Sequence, residues 1–260
     1  MAQSSLFSQI VNDGLALNAG QEWKDVILYT NNPNEQALLY EYSDAVAVQM
    51  FLRMAKLPYT VKQRPNVEFM SPTGKGPLLR VQNTLIAEFS NIVDYVEKKG
   101  IVFSSHLTES QVSDMIAHLA LIDHTLRLVE LYISWKHDET YKQVTSLRYG
   151  CAYHWPLSTI LPIIKRRQML ALLEDAGWVE KTLTEVIEQA DKVFRAMSNK
   201  LGDQISLYPD SLTQADALLF GHLYTILTMR LPVMDLINTL KKYPNLINFS
   251  KRMEEEIFKI

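Results

Sequence analysis

Every strand-like run in this chain falls before residue 88, and from Thr108 onward only helical periodicity is visible. A chain patterned in this way must build one small sheet early and cover it with helices supplied later. Val26-Ile27-Leu28-Tyr29 is a short β-branched and aromatic run that reads as a buried strand. Asn31-Asn32-Pro33-Asn34 supplies turn chemistry. Ser43-Asp44 then stands before Ala45, Val46, Val48, Met50, Phe51, Leu52 and Met54, which predicts a buried helix with a side-chain cap at its start, stopped at Leu57-Pro58. Tyr59 to Lys62 reads as a second strand. After the turn-rich Ser71 to Pro77, the runs Pro77 to Val81 and Thr84 to Ala87 flank Gln82-Asn83 and predict a hairpin. A helix from Glu88, carrying Ile92, Val93, Tyr95 and Val96, closes at Gly100. The order is βαββα.

The helical remainder begins with a capping box, Thr108-Glu-Ser-Gln111. The helix after it runs to about Trp135, is apolar on more than one face and is expected to be central. Asp138 to Leu157 reads as a long connection, and a helix with Pro162 inside it carries Lys165-Arg166-Arg167. Thr182 to Leu201 is amphipathic and closes at Gly202; Thr213-Gln-Ala-Asp216 caps an apolar helix through Met229; two last helices flank Pro244. The expected layout is an N-terminal extension over 1–22, a mixed sheet-and-helix domain over 23–104 and an all-helical domain over 105–260.

Composition narrows the function classes. The 260 residues carry 26 Lys+Arg against 29 Asp+Glu, a formal charge of −3. That balance argues against nucleic acid as a partner and against a simple electrostatic hold on an anionic membrane. The one cysteine, Cys151, allows no internal disulfide, no Cys-rich zinc site and no dithiol pair, and points to a reducing compartment. The first residues lack the basic start and apolar run of a secretory signal, and the first Arg is Arg53. Met1-Ala2 does not suit myristoylation, and Phe258-Lys259-Ile260 carries no prenylation Cys. The longest apolar run, Ala217 to Met229, is 13 residues, short of the roughly 18–20 a spanning helix needs. The chain is therefore expected to be soluble or held at a membrane by a partner.

Few residues suggest chemistry. Gly74-Lys75-Gly76-Pro77 lacks the spacing and the Ser/Thr of a phosphate loop and reads as a turn. Pro77 suits either a cis peptide fixing that turn or a trans proline at a strand start. The six His are scattered; His118 and His124 are six apart and face different sides of a helix, so neither a metal site nor any cofactor is expected. Cys151 and His154 show neither a lowered pKa nor an orienting partner, the marks of a nucleophile. Arg148-Tyr149-Gly-Cys-Ala-Tyr153-His-Trp155-Pro156 is the least generic stretch. Its Arg148, Tyr149, Tyr153 and Trp155 are candidate interface anchors, or else they pin a loop to the core. Lys165, Arg166 and Arg167 are candidate partner contacts or a solvated helix face.

The βαββα unit with Gly76-Pro77, the helix opened by Glu88, and Thr213-Gln-Ala-Asp216 before an apolar helix resemble the glutathione transferase family. The resemblance implies an α+β, mostly α fold, with a thioredoxin-like N-terminal part followed by an all-helical part. It implies a structural role for Pro77, Thr213 and Asp216. The family's Ser, which binds glutathione at the start of the helix opened here by Glu88, is replaced by Phe89. Asn31 to Tyr42 separates the first strand from its helix, and Tyr29, Tyr42 and Ser43 are substitute candidates for thiol activation, none of them in the family's motif.

Ala45 to Pro58, Glu68 to Lys75, Arg148-Tyr-Gly with Trp155-Pro-Leu157, and Asp216 to Leu227 are similar to the metaxin family, and within it to the branch that lacks a C-terminal membrane anchor. That resemblance implies a non-enzymatic subunit on the cytosolic face of the mitochondrial outer membrane. It implies a metaxin-1-like partner that tethers the chain, and joint work with the sorting and assembly machinery barrel subunit in import and assembly of outer-membrane β-barrel proteins. Met253 to Ile260 likewise shows no anchor. A docking role for mitochondrial transport adaptors could coexist with this, and a divergent glutathione-dependent transferase is the rival reading.

Overall fold

The computed structural model describes residues 22–209 and 211–259, so all but Glu22 of the expected N-terminal extension lies outside the described residues. Four strands, β1 (Ile27–Thr30), β2 (Thr60–Gln63), β3 (Leu78–Val81) and β4 (Thr84–Ala87), form a sheet of order β2-β1-β3-β4. β1 pairs parallel to β2 and antiparallel to β3, and β3 antiparallel to β4. Helix α1 (Leu39–Met54) makes the crossover from β1 to β2, and α2 (Phe89–Glu97) follows β4. The alternation of the strands sorts the side chains by face. Val26, Leu28, Leu79, Val81 and Ile86 join the main core with α1 and α2, while Ile27, Tyr29, Leu78 and Ala87 pack on the opposite face with Val67. The Gly76–Pro77 peptide before β3 is cis, the first of the two alternatives open at that proline.

The expected cap of α1 is corrected. The helix starts at Leu39, so Ser43 and Asp44 are inside it and the link from β1 is Asn31 to Leu38. Ser43 Oγ donates to Leu39 O one turn back, at 2.8 Å, which satisfies the hydroxyl without ending the helix. Leu38, Leu39 and Tyr40 are buried, and their burial extends the helix past the polar pair.

A long rod follows. Helix α3 (Glu109–Leu121) opens on the expected Thr108–Gln111 capping box and continues through a π-helical turn (Ile122–Leu126), α4 (Arg127–Leu131) and a second π-helical turn (Tyr132–Lys136). Its central part is the later one: Ile122, Leu126, Val129, Ile133 and Trp135 are fully buried, whereas Met115 alone is buried within α3. The stretch expected as a connection from Asp138 is also helical, through α5 (Asp138–Thr140), a π-helical turn (Tyr141–Thr145) and α6 (Ser146–Gly150). Buried Tyr141, Thr145 and Tyr149 recur every four residues along it, with buried Thr140 and Gly150 beside them. Only Cys151 to Pro156 links α6 to α7 (Leu157–Asp175). Gly150 fits there because a Cβ would lie 2.2 Å from Ser158 O.

Helices α8 (Leu183–Leu201), α9 (Gln214–Thr228), α10 (Asp235–Leu240) and α11 (Pro244–Met253) complete the helical half. Thr213 and Asp216 form the expected box at the start of α9, and Asp216 Oδ1 also accepts from Leu207 N at 2.8 Å. Helix α9 packs along α1 at very short range. A Cβ on Gly221 would lie 2.4 Å from Ser43 O and 2.7 Å from Ala47 Cβ. Beside this contact Glu130 Oε1 accepts from Ser43 Oγ at 3.1 Å and meets His222 Nδ1 at 2.8 Å, so one carboxylate ties α1, α4 and α9. The main core runs unbroken through both halves. Gly221→Ala should lower unfolding stability by about 2–3 kcal/mol, because the added methyl meets backbone that has no room to move; urea denaturation measures this.

Candidate partner-binding surface and central cleft

The candidate interface residues divide sharply. Arg148 Nη1 donates to Ala37 O at 2.7 Å, pinning α6 to the link before α1. Tyr149 is buried, edge-on to Trp135 with ring centroids 5.5 Å apart. Burial and the neighbouring Glu68 carboxylate push its hydroxyl pKa up. Tyr153 is half-buried. Trp155 is 83% exposed. Lys165 Nζ reaches Glu68 Oε1 at 3.4 Å and lies 6.0 Å over the Tyr149 ring. Arg166 donates to Trp135 O at 2.9 Å, pairs with Asp138 and stacks 4.1 Å over Tyr141. Of the three cations only Arg167 is exposed. The structure therefore brings Tyr149, Lys165 and Glu68 together as an internal brace and leaves Trp155 and Arg167 facing solvent.

Sequence reading of charge missed the face beside them. Leu157, Ile160 and Ile164 are each about half exposed along one side of α7, directly after Trp155. The opposite side of α7 is held by buried Pro162, Met169 and Leu173. A contiguous exposed apolar stripe of this kind is a surface suited to a partner. The i, i+3, i+7 spacing of Leu157, Ile160 and Ile164 was the available signal.

The second place is a cleft of about 490 Å³ between α2 and the α3 rod, lined by Tyr40, Asp44, Phe89, Ser90, Met115 and Arg127 among others. The position of Glu88-Phe89 opens onto this cleft, with Phe89 buried edge-on to Phe51 at 6.0 Å. Glu88 holds a left-handed φ of 73° and pairs with Lys75 at 2.7 Å, so the turn lysine is spent on this corner. None of the three candidate thiol activators lines the cleft. Tyr29 is in the sheet's far-side cluster. Ser43 is locked under Gly221 and Glu130. Tyr42 has its pKa pushed up to about 12 by burial, with Tyr224 adding to it, the wrong direction for a base. The Cys151 thiol is likewise pushed up by desolvation and Glu35. Among the described residues no three His, Cys, Asp or Glu side chains are grouped to hold a metal.

Comparison with known proteins assigns the chain. It is 55% identical to the Metaxin-2 homolog of Caenorhabditis elegans over 88% of this chain and 100% of that protein. It is 39% identical to Metaxin-2 of Homo sapiens over 92% of each. The chain belongs to the metaxin-2 family. Residues 45–166 match the Tom37 family model, described as an outer mitochondrial membrane transport complex protein, and residues 190–253 match a glutathione S-transferase C-terminal domain. The glutathione S-transferase CsGST63524 of Ceriporiopsis subvermispora aligns with a TM-score of 0.57 at 12% identity, over 89% of this chain and 97% of that one. At that identity the likeness shows the fold alone. The fold is thus glutathione-transferase-like and the family is metaxin-2.

The brace carries a pH dependence. Burial raises the Glu41 carboxyl to about 7, opposed by Lys165 and reinforced by Glu68. A carboxyl whose folded pKa lies above its unfolded value is still protonated in the folded state between about pH 4.5 and 7, so stability falls as pH rises through that window. Glu41→Gln should raise stability by up to about 3 kcal/mol at pH 8 and leave it unchanged near pH 4; urea midpoints across pH test this.

Proposed function

We propose that this chain is a non-enzymatic subunit on the cytosolic face of the mitochondrial outer membrane. It is held there by a metaxin-1-like partner. With the sorting and assembly machinery barrel subunit it supports import and assembly of outer-membrane β-barrel proteins. The observation that carries the proposal is the solvent-facing side of α7, where Trp155, Leu157, Ile160 and Ile164 stand exposed in a member of a transport-complex family. Aromatic anchors with aliphatic neighbours are the residues that dominate protein interfaces. No helix among the described residues is long and apolar enough to cross a membrane, which fits tethering through a partner.

The rival reading, a divergent glutathione-dependent transferase, has the fold in its favour. Against it stand Phe89 where a hydroxyl would meet the ligand and a cleft lining that does not include Tyr29, Tyr42 or Ser43. Docking of transport adaptors belongs to the same proposal, with exposed Arg167 beside the apolar side of α7 as its contact.

Tagged full-length chain purified from gently solubilised mitochondria should carry the metaxin-1-like partner and the barrel subunit. Trp155→Ser with Ile160→Asp should reduce partner recovery at least about tenfold, the loss of a hot-spot pair, with unchanged thermal melting. Unchanged cytosolic solubility with and without the partner would overturn the proposal. Glutathione titration separates the rival: submillimolar binding would revive the transferase, and silence is expected.

A further inference from the structure

The central cleft is not an inert remnant. Five carboxylates line it, those of Asp44, Glu88, Asp94, Glu97 and Asp123, against one guanidinium, Arg127. Glu88 has Lys75 and Asp123 has Arg127, at 2.7 and 3.6 Å. Among the described residues Asp44 forms no such ion pair: it is 4% exposed, and His222 and Arg127 act on its carboxylate only through space. A second, uncharged group makes the same demand. Gln214, 7% exposed, spends its amide N–H on Glu97 Oε1 at 3.4 Å and leaves Oε1 buried without a partner. Buried acceptors left unmatched cost stability unless a ligand or water supplies donors. The remaining walls are apolar: Phe89, Val93, Met115, Leu119 and Leu218. The cavity, about 490 Å³, falls in the ~300–1,000 Å³ range of ligand pockets.

We propose that this cleft binds an organic cation, an ammonium or guanidinium group carried on an apolar body, with Asp44 and Gln214 Oε1 as its acceptors. The charge of the lining excludes the family fold's anionic thiol tripeptide and selects the opposite sign. A free amine and a lysine or arginine side chain of a peptide present the same chemistry, and the test separates them. The proposal stands independently of the partner assembly proposed above, because the cleft does not include the exposed side of α7.

Asp44 also sets a pH signature. Burial raises its carboxyl to about 7; His222 and Arg127 oppose this, and Asp123 and Glu130 add to it. The other titratable groups at this corner are Tyr40, whose pKa is raised well above its usual value, and Glu88. The carboxylate needed for a cation therefore forms as pH rises through about 7, so affinity should climb several-fold from about pH 6 to pH 8.

Titration calorimetry of the full-length chain at about pH 8 tests this with hexylammonium chloride, neutral 1-hexanol, glutathione, and an acetylated, amidated Leu-Lys-Leu tripeptide. Saturable binding of hexylammonium or the tripeptide, at least about tenfold tighter than hexanol, is expected. Binding of the tripeptide alone assigns the cation to a polypeptide, and of hexylammonium alone to a free amine. Asp44→Asn should abolish the preference for the cation, and since it removes a buried charge it should not lower the melting temperature. Arg127→Gln should tighten binding by removing the competing cation. Equal affinity for hexanol, silence of both cations, or cation binding untouched by Asp44→Asn would overturn the proposal.

Discussion

One close approach of backbones organises the molecule. Gly221 lets α9 rest on Ser43 and Ala47 of α1 with nothing larger than the Ala47 methyl between them. Two helices at that distance exclude water from everything beside them, so the polar groups there must satisfy one another. Glu130 Oε1 does so by accepting from Ser43 and meeting His222, both fully buried, while Glu130 Oε2 and His222 Nε2 stay buried without a partner among the described residues. The contact joins the sheet half to the helical half and explains why the core is continuous across the two. It also places Asp44, one residue beyond Ser43, at the edge of the central cleft.

From that joint the two surfaces of interest follow. On one side the α3 rod stands away from α2 and leaves a cleft whose lining is acidic. On another, the Lys165–Glu68 pair and the Arg166 stack hold α7 against the rest by its inner side. Two of the three cations, Lys165 and Arg166, are thus used internally, and what α7 offers outward is Arg167 beside an aliphatic side. The surface chemistry of the chain is therefore apolar on α7 and anionic in the cleft.

Much of this was legible in the sequence. The hairpin at Gln82-Asn83, the Thr108 and Thr213 boxes and the helix stop at Gly202 are local, and local chemistry is what a sequence displays. The start of α1 was misread because Ser43 serves its own helix and Glu130 rather than a cap, a role set by a residue 87 positions away. The helix from Asp138 to Gly150 shows itself only as the four-residue recurrence of Tyr141, Thr145 and Tyr149, two aromatics and a polar residue that make a weak apolar stripe. In the candidate interface, Tyr149 and Trp155 look alike in sequence, yet one is stacked on Trp135 and the other faces water. The cleft could not be seen at all, since Asp44, Gln214 and Arg127 meet only through the packing of three separate helices.

The claim on which the account rests is that the two halves are one cooperative unit closed at Gly221 and Glu130. Native-state hydrogen exchange under mild denaturant measures it directly. Amides of Ala45 to Phe51 in α1 and of Ala217 to Ile226 in α9 should open with the same free energy, equal to that of global unfolding. Protection of the sheet half that persists while α9 exchanges through a separate, lower-energy opening would contradict it.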